Sequence, residues 1–465
     1  MNVLAWLTAA GAGWFWVRAL WPRTEGGRLW ARLTAELALS FMFGVGACSA
    51  AFFALLWSGL KPGAAAWSGD AAVLAGGVVL WLIRRGRKGG EEAEGAARPL
   101  PLAWMAGLAA ALSFVAFLAA AGVYLRANPQ GDWDAWAIWN LRAKFLASEG
   151  LWRNAVSPEL SQTHPEYPLL WPAAVARAWA ESGSVSQAAP QTGAWLAAAS
   201  LVLLFAGGLA TTGGWPWAAA GTATLLMTVP LWRSAGSQYA DVPLAMFFLG
   251  SVIAAEMARR TGWSGPVAAL SGALAAFGAF TKNEGLVFCL LMAGAVLFMA
   301  RLRAVWWLVG AGPALAVTLL FHWLLAPPKS LLSMASFQQA GRLVTVVEGM
   351  AGAVWKSGGF PAHPLLFAAI LLAVFRPEKP WKPVWPAAVA GLMLCADIAV
   401  MWGSPNDAAW QVGTAADRLL MHVMPVLILC AFWWLAKAPE QAAAVEPPAK
   451  PEPRRKPRKA SGAKE

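Results

Sequence analysis

Asp132 and Asp134, one tryptophan apart, follow Asn128-Pro129-Gln130-Gly131 at the point where a long apolar run ends. Pro129 and Gly131 end a helix and turn the chain there. A carboxylate so placed can take a proton from a hydroxyl, and two together can hold a divalent cation. A second polar group is His164-Pro165-Glu166-Tyr167-Pro168-Leu169-Leu170-Trp171-Pro172. Its three prolines predict a stiff, extended segment that presents His164, Glu166 and Tyr167 at fixed angles. The same residues also fit a plain solvated connector. Asp241 opens an apolar run with Pro243 close behind, which capping and the helix dipole explain without any chemistry. Lys282 and Glu284 share the turn Thr281-Lys282-Asn283-Glu284-Gly285, where they can also pair with each other. Arg418 and His422 open the last apolar run. Asp397 lies inside an apolar run, where an ionisable residue is a functional candidate or half of a satisfied structural pair.

These residues need elements to position them, and composition says which kind. Of the 465 residues 58% are hydrophobic and 13% charged, against about 25% charged in a soluble domain. Mean hydropathy is +0.52. The net charge of +12 could suggest nucleic acid, but the basic residues sit in short loops and in the tail. We therefore expect no nucleic-acid partner. Cys48, Cys289, Cys395 and Cys430 all fall in apolar runs without metal or redox spacing and read as core residues.

A spanning helix needs about 20 apolar residues. Thirteen runs are predicted to span: 3–20, 37–59, 67–83, 103–125, 193–210, 215–231, 241–258, 265–281, 285–300, 304–326, 362–375, 383–402 and 419–436. The first lacks a basic n-region and reads as a retained helix. With the N-terminus outside, 24 of the 36 Lys and Arg fall on the cytoplasmic side, as the positive-inside rule asks. Arg84-Arg85-Gly86-Arg87-Lys88 and Arg454-Arg455-Lys456 are the clearest inner anchors. Many of the 30 tryptophans stand near span ends, where indole favours the interface.

From Trp133 a helical period sets Trp133, Trp136, Ala137, Ile138, Leu141 and Phe145 against polar Asn140, Arg142 and Lys144. This predicts an amphipathic helix lying in the outer interface, with Asp132 and Asp134 at headgroup depth. The tail from Ala438 has no apolar period and reads as disordered, a solvated tail without a specific partner or one whose basic end touches anionic lipid heads. Under this orientation Asp132, Asp134, His164, Glu166, Asp241, Lys282, Glu284, Asp407 and Arg418 gather on the outer face. That is an assembly suited to activating a hydroxyl and holding a phosphate.

In that order and setting the motifs resemble the GT-C superfamily of polyprenyl-phosphate-sugar transferases, especially bacterial relatives of protein O-mannosyltransferases and the lipid A aminoarabinose transferase. Asp134, Trp139 and Ala143-Lys144 stand where that family carries an acid, an aromatic and an interface helix. His164-Pro165-Glu166-Tyr167-Pro168, Asp241-Val242-Pro243-Leu244, Thr281-Lys282-Asn283-Glu284-Gly285, and Arg418 with Pro425 are similar to later family motifs. The likeness covers roughly 103–436. It departs at Asp132-Trp133-Asp134, where the family usually has adjacent acids, so the base stays open between the two.

The resemblance implies an all-α polytopic bundle of about 13 transmembrane helices, with an interfacial helix after the fourth span. Residues 1–102 would be extra helices with a basic inner loop, 103–437 the catalytic core, and 438–465 a cytoplasmic tail. The implied reaction is inverting sugar transfer from a polyprenyl-phosphate donor to an acceptor hydroxyl of a lipid or glycan, at the outer face of a bacterial inner membrane. Asp134, or Asp132, would be the base. Lys282 and Arg418 would stabilise the leaving phosphate, with His164 or Arg142 in support, and Glu166, Tyr167, Asp241 and Glu284 would line the donor site. A divalent cation on Asp132 and Asp134 is an option, since metal use varies in that superfamily. The rival reading is a transporter or flippase for lipid-linked sugar or another solute, although no internal repeat stands out.

Overall fold

The computed structural model describes residues 2–21, 29–85, 103–330, 332–358, 363–375 and 383–436. Most of the basic 84–102 loop, including Gly86-Arg87-Lys88, and the tail with Arg454-Arg455-Lys456 lie outside the described residues. Within them the chain is helical, without a strand. The helices in order are α1 (Asn2–Leu20), α2 (Leu29–Trp57), α3 (Pro62–Arg84), α4 (Ala103–Ala127), α5 (Asn140–Ala147), α6 (Leu170–Ser182), α7 (Ala188–Gly213), α8 (Trp215–Leu225) and α9 (Val229–Ala235). They continue as α10 (Asp241–Arg260), α11 (Gly265–Thr281), α12 (Asn283–Ala300), α13 (Val305–Leu324), α14 (Met334–Phe337), α15 (Arg342–Lys356), α16 (Pro364–Phe375), α17 (Val384–Gly403) and α18 (Ala408–Leu435).

Nine helical segments among the described residues are long and apolar enough to cross a membrane. The chain is thus a multi-pass integral membrane protein. The difference from thirteen has local causes. Pro230 cannot donate to residue 226 and its ring crowds that carbonyl. The expected span 215–231 therefore breaks into α8 and α9. α11 has 17 residues and α16 has 12. α12 and α13 form one apolar stretch, Asn283–Leu324, divided by a tight turn at Arg301, where φ is 52°. The last span starts three turns earlier than 419, because Asp407 caps α18 by accepting a 2.8 Å hydrogen bond from the Trp410 N–H.

α10 lies at the centre, buried from Asp241 to Ala258, and packs against α7, α11 and α18. α2 packs on α1, α3, α6 and α7, so one hydrophobic core runs from Trp6 to Trp433. Cys48, Cys289 and Cys430 sit in that core, but Cys395 is exposed on α17, correcting the expectation of four core cysteines.

Two glycines permit close approaches that the site needs. Gly131 has φ +75°, and a Cβ there would stand 2.6 Å from the Ser237 carbonyl oxygen. A Cβ at Gly285 would collide with the Gly278 carbonyl oxygen, so glycine lets α12 fold back onto the end of α11.

Candidate functional site

Four separate segments meet around the carboxylate of Asp241, the first residue of α10. Lys282 Nζ, at the extended joint between α11 and α12, donates to Asp241 Oδ1 at 2.9 Å. From α18, Arg418 Nε and Nη2 reach Asp241 Oδ2 at 3.0 and 2.9 Å. One turn further along α18, His422 Nε2 lies 2.7 Å from Asp241 Oδ1. With Asp241 a carboxylate, Nε2 carries the proton and donates. Arg418 Nη1 extends the cluster by donating to Asp134 Oδ2 at 2.6 Å. Glu284 Oε1 stands 3.2 Å from Lys282 Nζ. Asp241 and His422 are fully buried and Lys282 nearly so. Burial of this kind needs charges matched at hydrogen-bond distance.

The loop carrying Asp134 is held to the loop before α10. Asp132 N–H donates to Ser237 O at 3.2 Å. Gln238, at φ 62°, donates to Pro129 O at 3.2 Å and accepts from Asn140 Nδ2 at 3.1 Å. A π-helical turn, Ala135–Trp139, follows Asp134 directly. The Asp134 N–H donates to the Tyr239 hydroxyl at 3.3 Å, and Arg418 lies over the Tyr239 ring, 4.7 Å from its centre. Burial pushes the Tyr239 phenol up to about 12.

Asp132 faces elsewhere and accepts a 2.6 Å hydrogen bond from the Tyr124 hydroxyl. The two aspartates thus have different partners, and Arg418 already supplies the positive charge on Asp134. They do not present a paired cation seat. Among the described residues no group of three metal-binding side chains occurs either.

The polar proline-rich segment is not extended, as the sequence suggested. His164 is left-handed at φ 52° and ψ 59°, and the Tyr167 N–H closes a turn onto its carbonyl at 2.9 Å. The turn stacks the Tyr167 ring against His164, 4.9 Å away, and against Trp139, 5.9 Å away. Lys282 Nζ lies 5.9 Å from the centre of the Tyr167 ring, linking this segment to the main cluster. Glu166 Oε1 accepts from Lys329 Nζ at 2.6 Å and faces His164 Nδ1 at 3.0 Å. Burial would raise the Glu166 pKa, but the His164 and Lys329 contacts outweigh it and hold the carboxyl at about 2.

Arg142 holds the framework together, and its Nη1 is left without a partner. Its guanidinium is fully buried and donates to the carbonyls of Ala155, Pro165 and Tyr167 at 2.8, 3.3 and 2.7 Å. A proline-broken segment leaves carbonyls without backbone partners, and Arg142 satisfies them. The same need changes part of the expected amphipathic pattern, in which Ile138 is buried and Lys144 exposed. Asn140 and Arg142 point inward, while Trp133 and Trp136 are exposed and contact each other edge to face at 4.5 Å.

Lys329, after Pro327-Pro328, was not singled out from sequence; a cation behind two prolines, as in the His164 segment, was the available signal. Several buried polar atoms around the cluster have no protein partner: Glu284 Oε2, His422 Nδ1, Glu166 Oε2 and Asp397 Oδ2. Buried polar atoms without partners mark places where a polar ligand or water completes the bonding. The arrangement can hold a hydroxyl-bearing molecule against Asp134 and an anion near Lys282, Lys329 and His164. No family model, curated protein or solved structure matches the chain.

Proposed function

We propose that this protein is a membrane glycosyltransferase that moves a sugar from a polyprenyl-phosphate donor to an acceptor hydroxyl, with inversion. The observation that carries the reading is the convergence of Asp134, Asp241, Lys282 and Arg418, spread over 284 residues, into one hydrogen-bonded cluster. The ordered motifs that resemble the GT-C superfamily support it.

The chemistry follows from the cluster. Asp134 has one oxygen on Arg418, and its side chain remains 20% exposed. An acceptor hydroxyl gives its proton to this carboxylate. The acceptor oxygen bonds to the sugar C1 as the bond from C1 to the phosphate oxygen breaks, and the phosphate leaves with the electron pair. Charge at C1 passes through oxocarbenium character. Fixed cations stabilise the leaving phosphate. Arg418 and Lys282 are already shared among Asp134, Asp241 and Glu284, so they act chiefly by holding the acids in place. Lys329, paired with Glu166, adds positive charge beside them, with His164 next to it.

The reading carries thirteen crossings, an interfacial segment after α4, an external N-terminus and a cytoplasmic tail, in the inner membrane of a bacterium. Vesicles bearing the full chain, supplied with polyprenyl-phosphate-linked hexoses and pentoses, test it. Asp134→Asn lowers transfer by roughly a hundredfold or more, as expected for loss of a general base. Full transfer in both Asp134→Asn and Asp132→Asn removes the base and the reading with it. Asp397, buried with an unpartnered oxygen, is the observation that favours the transporter alternative. Solute uptake by the same vesicles without a transfer product would support that alternative.

A further inference from the structure

Toward the far end of α10 lies a second constellation, centred on Glu256 and about 22 Å from Asp241 by the helical rise of about 1.5 Å per residue. Glu256 is fully buried there. Arg259 donates to it from Nε at 2.9 Å and Nη2 at 2.7 Å, Arg260 Nε stands 3.6 Å away, and Trp385 Nε1 donates at 3.0 Å. This carboxylate is fully engaged, and Arg259 still has Nη1 to offer. Beside it opens a recess of about 520 Å3 lined by Arg259, Trp263, Met299, Pro383, Val384 and Trp385. Trp263 is fixed in the left-handed region at φ 63°. Arg303 donates to the neighbouring Gly262 carbonyl, and Arg301 and Arg303 are both exposed. Two guanidiniums thus meet the one carboxylate, and Arg303 stands beside them at Gly262, next in sequence to the lining Trp263. On the outward side Phe298, Leu302 and Val384 are 87%, 93% and 61% exposed, a surface suited to hydrocarbon.

We infer that this recess binds an anionic phospholipid, its phosphate between Arg259 and Arg303 and its acyl chains along Phe298, Leu302 and Val384. Charge complementarity selects an anion. The two indoles at the rim mark headgroup depth. The apolar outer wall selects an anion that carries a tail. A free anion would use only half of the surface. The inference is independent of the glycosyltransferase reading, because the recess shares no residue with the Asp241 cluster.

The full chain is reconstituted with phosphatidylglycerol and phosphatidylcholine, extracted in mild detergent, and its retained lipids are counted by native mass spectrometry. The wild type retains phosphatidylglycerol in preference. Arg301→Gln with Arg303→Gln, which leaves the Glu256 pairs intact, lowers that retention on the order of thirtyfold, from the attraction per guanidinium near an anionic surface. The double Lys variant keeps most of it. Val384→Trp fills the mouth of the recess without changing charge and lowers retention as well; because Val384 is exposed, the variant folds. Equal retention of the two lipids by the wild type overturns the inference. So does full retention by Val384→Trp, which would make the effect a diffuse attraction of surface charge.

Discussion

Asp241 is the residue through which the charged cluster is held together, since Lys282, Arg418 and His422 all bond to it. Asp241→Asn leaves the buried Lys282 and the partly buried Arg418 short of one carboxylate. Breaking a buried pair in this way costs about 3–5 kcal/mol, so thermal unfolding in detergent falls sharply and transfer is lost with it. Glu166 gives a pH signature. Its carboxyl, held at about 2, lies below the ~4.3 of a free glutamate. The stabilisation from its contacts is complete above pH ~4.3 and is lost as pH falls through the folded value of about 2. Unfolding temperature measured across this acid range should slope in the wild type and flatten in Glu166→Gln. At this scale the sequence was informative about which charges matter, because acids and cations are rare in so apolar a chain. It was silent on partners. Arg142 and Lys329 carry equal charge, yet one satisfies carbonyls and the other meets Glu166, and that depends on turns set by distant packing.

Helices were legible wherever about 20 apolar residues ran unbroken, as in α2, α4 and α10. They were misread where a single residue overrides the pattern. Pro230 divides an apolar run, and Asp407 starts α18 in polar sequence. In 133–145 the pattern departs from expectation at Asn140 and Arg142: hydropathy ranks arginine as outward, whereas unpaired carbonyls drew Arg142 in. Within α12 two glycines make a direct comparison. Gly285→Ala must push α12 off the α11 carbonyl and should cost about 1–3 kcal/mol, read as a lower unfolding temperature. Gly294 faces open space, so Gly294→Ala should be neutral or slightly stabilising.

Across the whole molecule, the N-terminal helices are tied to the rest by one buried guanidinium. Arg177 of α6 bonds to Asp70 of α3 and to Glu181, each at 2.5 Å, and to the Ala5 carbonyl of α1 at 2.7 Å. Arg177→Met strands two acids in the core. It should lower stability by about 3–5 kcal/mol, read as a lower unfolding temperature in detergent. Membrane character was readable from composition, but this tie was not, because Asp70 and Arg177 are 107 residues apart. The position of Arg418 has its own consequence. Chains grow from the N-terminus and fold as they emerge. Asp241 and Lys282 can therefore meet long before the ribosome reaches α18. A nascent chain halted ahead of Ala408 would hold half of the constellation with its mouth unlatched, and only the closing stretch of synthesis brings the guanidinium that joins Asp134 to it.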